Sequence, residues 1–472
     1  MQVAESKYIA GSKPLLRKLQ KELSARYAYA SILAADSREK NYSVSARGIS
    51  LADSDRFGKR GFCARVYDGG AYAEYAGNEI REDMIPAILE EIGTSLRDMG
   101  KAYPRLATPL LPEEELSFSK STEYEKHPAE LGDEAIISAL SGLRKRTLGR
   151  DERLLDCMAN LSYQEYHKLF LSDKRELEQN VLWTCGALMV VARKDEEIKD
   201  AYRGFSGMCG AELMDKMEDY APEVVSTCLD LLNCEPLVPG EYTCVCTPEV
   251  TGMIVHEAFG HGVEMDMFVK DRALAKSFMG QKVASDIVNM RDGAASACEV
   301  ASFFFDDEGN VAHDTLVIDH GTLVSGYVDA VSAARLGVPP TGNGRRESVE
   351  RKAYTRMTNT FFEAGDSTVE EMIASVEDGL LLGCPTSGME DPKNWGIQCM
   401  VSFAKEIKHG KLTGRIFSPV VLTGYVPDLL KSISMISDKV ELGGGGYCGK
   451  GHKEWVKVSD GGPWIKARIR LG

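Results

Sequence analysis

No run of the sequence approaches the ~20 apolar residues of a membrane span. The first twenty residues, MQVAESKYIAGSKPLLRKLQ, lack the continuous apolar core and small-residue cleavage site of an export signal. Neither a membrane nor a secreted setting is expected. Basic charge is scarce as well: the formal net charge is −15, and the densest basic run is only Arg144-Lys145-Arg146. Phosphate contacts need a clustered basic face, so a nucleic-acid partner is not expected. Twelve cysteines are present, but none form a C-x-x-C pair. They read as free thiols packed as small hydrophobes in a reducing cytoplasm. A cysteine with a special task must be identified by its surroundings.

What is present is ordinary globular composition over 472 residues, 43% hydrophobic and 27% charged, enough for two or three domains. Ser12 reads as an N-cap with Pro14 in the first turn of a helix to about Ser24. Strand patterns follow at 27–35, 41–50, 60–67 and 70–76, with a turn at Asp68-Gly69-Gly70. An amphipathic helix runs from Arg81 to Tyr103, its stripe formed by Met84, Ile85, Ile88, Leu89 and Ile92. The proline-bearing stretch 104–120 reads as a linker. A second helix-then-strand series covers 130–147, 155–172 and 178–194, and helical pattern returns over 211–233. Leu237-Val238-Pro239-Gly240 marks a boundary. Beyond it come short alternating runs at 300–306, 313–319 and 399–407. The expectation is an α+β protein with antiparallel or mixed sheets. Its units are 1–104, 113–234 and a β-rich domain over 238–472.

The strongest chemistry lies in GEYTCVCTPEVTGMIVHEAFGHGVEMD. Tyr242 to Cys246 reads as a strand, Thr247 as an N-cap, and Pro248 as the first helical residue. The helix then carries His256, Glu257 and His261. Two imidazoles beside a carboxylate suit a hydrolytic zinc site: the histidines hold the ion and the glutamate takes a proton from water. The familiar H-E-x-x-H spacing puts both histidines on one helical face. Here one residue is added, and five steps of about 100° leave them about 140° apart. A widened or terminated helix is therefore expected, which Gly260 and Gly262 permit. Glu264 and Asp266 are placed to orient the imidazoles.

A third ligand is sought in ELGGGGYCGKGHKEWVKVSDGGPWIKARI. Cys448 is bracketed by glycines, and a thiolate is a good zinc ligand. His452 competes for the same role. Gly444 to Lys450 nearly spells a phosphate-binding loop, but Gly451 replaces the required Ser or Thr and no helix pattern follows. Asp306-Asp307-Glu308-Gly309 reads as a turn between strands. Arg345, Arg346, Arg356 and Asn359 are candidates for binding the carboxylate or main chain of a peptide.

Taken together, these segments resemble the TldD/PmbA family, in particular its TldD, peptidase-bearing branch. The likeness extends through FDDEG at 305–309, LVIDHG at 316–321, TGNGRR at 341–346 and RMTNT at 356–360. It is strong over 240–472 and looser before that. The resemblance implies a cytoplasmic zinc peptidase acting on unfolded or short peptides. It further implies a homodimer, or a heterodimer with a PmbA/TldE-like subunit lacking the metal motif. By position it assigns His256, His261 and Cys448 as metal ligands and Glu257 as the catalytic residue. Other readings are a non-catalytic partner subunit or a zinc amidase for a specialised peptide metabolite. Iron or cobalt could replace zinc.

Overall fold

A computed structural model describes residues 1–53, 59–102, 112–452 and 454–472. Helix α1 covers Lys7–Ser24 and starts earlier than its sequence suggests. Ser6, not Ser12, caps it, its Oγ accepting from the amides of Tyr8 and Ile9 at 3.1 and 3.2 Å. Pro14 therefore lies inside the helix. The lost backbone bond is offset by the burial of Leu16, Leu19 and Leu23.

The strands are β1 (Tyr29–Ser45), β2 (Gly48–Asp53), β3 (Arg60–Tyr67), β4 (Tyr72–Gly77), β5 (Leu116–Ser121), β6 (Leu154–Leu171), β7 (Arg175–Lys194) and β8 (Glu197–Gly207). All eight belong to one mixed sheet ordered β4-β3-β1-β6-β7-β5, with β2 on β1 and β8 on β7. The segments 1–104 and 113–234 thus share a sheet, since β1 pairs antiparallel with β6 from Ile32–Leu171 to Val44–Ala159. The expected strands at 27–35 and 41–50 are mostly a single continuous strand, β1. The linker reading over 104–120 falls, for 103–111, outside the described residues. Its end is strand β5, parallel to β7. Helices α1 and α2 (Ile85–Ala102) pack on Ile32, Phe62 and Val66. After the short α3 (Pro128–Leu131), α4 (Asp133–Leu148) and α5 (Leu213–Leu231) cover Leu161, Leu188 and Val190.

The rest of the chain is β-rich. Strand β9 (Gly240–Cys246) pairs parallel with Asp378–Asp391 and antiparallel with Ile465–Leu471. Asp378–Asp391 also pairs with Gly396–Lys408, which returns through Val420–Tyr425 to Ile465–Leu471, so the pairing closes on itself. A second sheet contains Asn359–Phe362 and Ser459–Gly462 side by side. The helix after β9 is wedged between the two sheets, burying Val250, Ile254 and Val255 with Leu380, Leu382, Phe362 and Ile465.

The run 300–306 is not a strand: only Phe305 makes a bridge, to Val311. Asp306–Gly309 between them is a turn, as expected, with Gly309 at φ 79°. This turn also fastens the N-terminal sheet: Arg65 pairs with Glu308, and Lys168 with Asp307. Gln179 and Arg175 donate to the carbonyls of Phe305 and Gly309 at 3.0 and 2.6 Å. Among the described residues no helix is long and apolar enough to cross a membrane.

Candidate metal centre

Strand β9 ends at Cys246, and α6 (Pro248–Met253) begins at once, with Pro248 in the first helical position. Thr247 occupies the cap position, but its hydroxyl makes no capping bond. From Ile254 to Phe259 the helix widens into a π-helical turn, and over Gly260–Val263 it tightens into a 3₁₀ turn. The extra residue between the histidines is absorbed by this change of pitch. The two imidazole rings end 5.1 Å apart, centroid to centroid, and nearly perpendicular at 87°.

Glycine is needed where this distorted segment meets its neighbours. A Cβ on Gly262 would lie 2.7 Å from Glu390 Oε1 and 3.0 Å from the Trp395 indole nitrogen. On the facing strand, a Cβ on Gly388 would lie 2.6 Å from Cγ of Glu257.

Cys448 arrives from the other end of the chain. Just after the glycine run, Tyr447–Lys450 and Glu454–Lys457 form a hairpin in which Cys448 opposes Val456. The buried Cys448 Sγ lies 3.5 Å from His261 Nε2. One donor atom each from His256, His261 and Cys448 lie within 4.8 Å of one another. His452 is exposed at the hairpin turn and is not part of this set.

The surroundings decide which nitrogens are available. His261 Nδ1–H donates to Glu264 at 3.2 Å, leaving Nε2 facing Cys448. His256 is buried, and its Nδ1 has no hydrogen-bond partner. Asp460 lies 3.9 Å from that nitrogen. Such an orphaned buried nitrogen is costly unless another group engages it. Two imidazoles and a thiol at this spacing suit a borderline-soft divalent ion, zinc above all. The Glu257 carboxylate stands 4.0 Å from His256 Nε2 and 3.8 Å from His261 Nε2.

Electrostatics reinforce the set. Burial opposes ionisation of Cys448, but the two neighbouring imidazoles win and hold the thiol at about 4. Burial likewise works against charge on His256 and His261, and the Cys448 thiolate reverses it, raising both. Glu264 is held ionised against burial by Lys450 and His261. Asp460 is pushed up by burial to about 6.

Asp266 does not touch an imidazole. It holds Lys450 at 2.7 Å and Lys270 at 3.0 Å, and Lys450 in turn reaches Glu264 at 3.1 Å. The four candidate peptide-binding residues are engaged inside the chain. Arg346 binds Glu74, and Arg356 donates to the carbonyls of Cys448 and Glu454. Asn359 donates to Gly293 and Ser302 at 2.9 and 3.0 Å and accepts from Ser459. Arg345 donates to Met357 at 2.8 Å. Asp460, Gly388 and Glu390 carry no signal in the sequence, and Lys450 stands out there only as the end of a near phosphate-binding loop. Only their shared proximity reveals them.

A cleft of about 730 Å³ opens beside the centre. Glu257, Asp460, Gly388 and the glycines 443, 445 and 446 line it, together with Tyr202, Tyr220 and Lys216 from the N-terminal region.

Three side chains whose donor atoms could hold one ion, an adjacent carboxylate and an open cleft define a candidate hydrolytic metal centre. The comparisons with known proteins agree with that class. Residues 239–468 match the model of the PmbA/TldA metallopeptidase C-terminal domain. A metalloprotease of Methanocaldococcus jannaschii is 27% identical over 67% of this chain and 69% of its own length. A zinc metalloprotease TldD homologue of Saccharolobus solfataricus is 30% identical over 49% of this chain and 52% of its own. The structure of TldE from Thermococcus kodakarensis superposes with a TM-score of 0.73 at 17% identity, covering 96% of this chain and 99% of that one. Residues 239–468 thus carry the C-terminal domain of the TldD/PmbA family, and the named relatives support assigning the chain to it.

Proposed function

We propose that this chain is a zinc-dependent peptidase in which His256, His261 and Cys448 hold the ion and Glu257 handles the proton. The convergence of three donor atoms within 4.8 Å, from segments nearly two hundred residues apart, carries the reading. When bound, zinc supplies Lewis-acid polarisation of a scissile carbonyl. Glu257, at the cleft wall between the two imidazoles, takes a proton from the attacking water and delivers it to the departing amine. Glu264 fixes the tautomer of His261, and Asp460 faces the free nitrogen of His256. Arg356 braces the hairpin by bonding the carbonyl of Cys448 itself.

An unfolded or short peptide fits the cleft. Pro385 to Gly388 lie along one wall, and of the strand Asp378–Asp391 only the section Gly379–Leu382 is paired with β9. That leaves a strand edge to which an extended peptide can add. The twelve unbridged cysteines suit a reducing cytoplasm. By family resemblance the working form is a dimer, either of two copies or with a PmbA/TldE-like subunit. The test is cleavage of a fluorogenic peptide library by the purified chain, alone and with such a subunit. A metal chelator should abolish turnover, and added zinc should restore it. Chelator-resistant turnover would overturn the reading.

A further inference from the structure

The hairpin that carries Cys448 has two faces. Cys448 stands opposite Val456, whereas Tyr447 opposes Lys457 and Gly449 opposes Trp455. Side chains alternate along a strand, so Cys448 goes to the histidines while Tyr447, Trp455 and Lys457 point the other way. This second face closes a pocket of about 110 Å³ against the N-terminal sheet. The pocket shares no lining residue with the cleft at Glu257.

Five cations line it, and three of them are paired: Lys59 with Glu350, Lys168 with Asp307 and Arg346 with Glu74. The other two are Lys457 and Arg345. Lys457 is 7% exposed, and its ammonium lies 4.5 Å from the Tyr447 ring centroid and 5.2 Å from that of Trp183. The guanidinium of Arg345 lies 5.4 Å from the Phe303 ring centroid and gives one hydrogen bond to the Met357 carbonyl. Neither has a carboxylate oxygen within 4.0 Å among the described residues. The acids lining the pocket are already committed. Asp306 accepts from the amides of Glu308, Asn310 and Gly344. Asp307 accepts from Lys168 and from the amide of Arg346, and Glu347 sits beside Arg351.

A buried cation without an anion is costly, and the cost is relieved when an anion arrives. A guanidinium and an ammonium set among aromatic faces suit a carboxylate carrying a small apolar body. The volume is below the ~150 Å³ of a cavity that takes benzene, so the enclosed part is a handful of heavy atoms. We propose that this pocket is a second ligand site, specific for a short-chain carboxylate held between Arg345 and Lys457. The proposal stands independently of the peptidase reading, because no metal ligand or cleft residue takes part.

The test is titration of the full-length protein with isobutyrate, followed by tryptophan fluorescence, because Trp183 and Trp455 line the pocket. Isobutyramide, of the same shape without the charge, is the control. The expected result is saturable binding of isobutyrate and at least tenfold weaker binding of the amide. Lys457→Met and Arg345→Gln should each weaken isobutyrate at least tenfold with unchanged circular dichroism. If Arg345→Gln fails to fold, the acid–amide comparison and Lys457→Met still decide. N-acetylalanine distinguishes the source: tighter binding than isobutyrate points to a peptide C-terminus, and equal or weaker binding to a free acid. Equal affinity for acid and amide, no saturable binding of either, or full affinity in Lys457→Met would overturn the proposal.

Discussion

Cys448 Sγ lies 3.5 Å from His261 Nε2, although 187 positions separate the two residues in the chain. The hairpin and the distorted helix come together at this contact, and the character of the thiol depends on it. In the metal-free protein the ultraviolet absorbance of the Cys448 thiolate should titrate near 4, far below the ordinary cysteine value of 9. His261→Ala removes one of the two imidazoles that hold it down and should move the titration upward. An unchanged titration in that variant would show that the contact does not set the thiol's ionisation.

A substitution at Glu257 separates metal binding from the proposed chemistry. Glu257→Gln keeps the size of the side chain and removes its basicity. It should retain zinc stoichiometry and lose about 10²–10⁴-fold in peptide turnover. Elemental analysis alongside the peptide assay reads both. Full turnover in the variant would remove the assigned role.

Gly388 tests the same group from across the cleft. An added methyl would lie 2.7 Å from Cβ and 2.6 Å from Cγ of Glu257, so the glutamate must shift. Gly388→Ala should keep zinc and lower kcat by about 10²-fold, the scale of a roughly 1 Å misplacement. Wild-type kcat in this variant would mean that the position of Glu257 is not critical.

Much of this arrangement is legible in sequence, but not all of it. Periodicity locates the long strands β6 and β7 and the helices α2, α4 and α5. The six-residue spacing H-E-x-x-x-H itself demands a departure from regular helix, and the π turn at Ile254–Phe259 supplies it. Pairing partners are different. Nothing local tells β1 to join β6, so two similar-looking segments read as separate units although they share one sheet. The start of α1 is misread because Ser6 and Ser12 are equally good caps by composition. The glycines bracketing Cys448 give no strand pattern, yet Tyr447–Lys450 pairs with the segment just downstream. Asp460 and Glu390 carry no local signal, since their importance comes entirely from what is brought beside them.

Glu390 yields a pH prediction. Its carboxylate oxygens are buried without hydrogen-bond partners, and burial pushes it from 4.5 up to about 8. The folded state therefore binds more protons than the unfolded chain between those values. Its favourable contribution is full below about pH 4.5 and is lost as pH rises through 8. Glu390→Gln does not titrate. Relative to wild type it should gain on the order of 3 kcal/mol between pH 5 and pH 9, after allowance for partial exposure. Urea denaturation of the metal-free proteins across that range is the check, and parallel pH profiles would contradict it.

The most direct test of the centre is zinc-edge X-ray absorption on the purified, zinc-loaded chain. The predicted spectrum has one sulfur near 2.3 Å and nitrogen or oxygen neighbours near 2.0–2.1 Å. The sulfur shell should vanish in Cys448→Ala. A zinc environment of nitrogen and oxygen alone in the wild type, or a sulfur shell that survives loss of Cys448, would contradict the account.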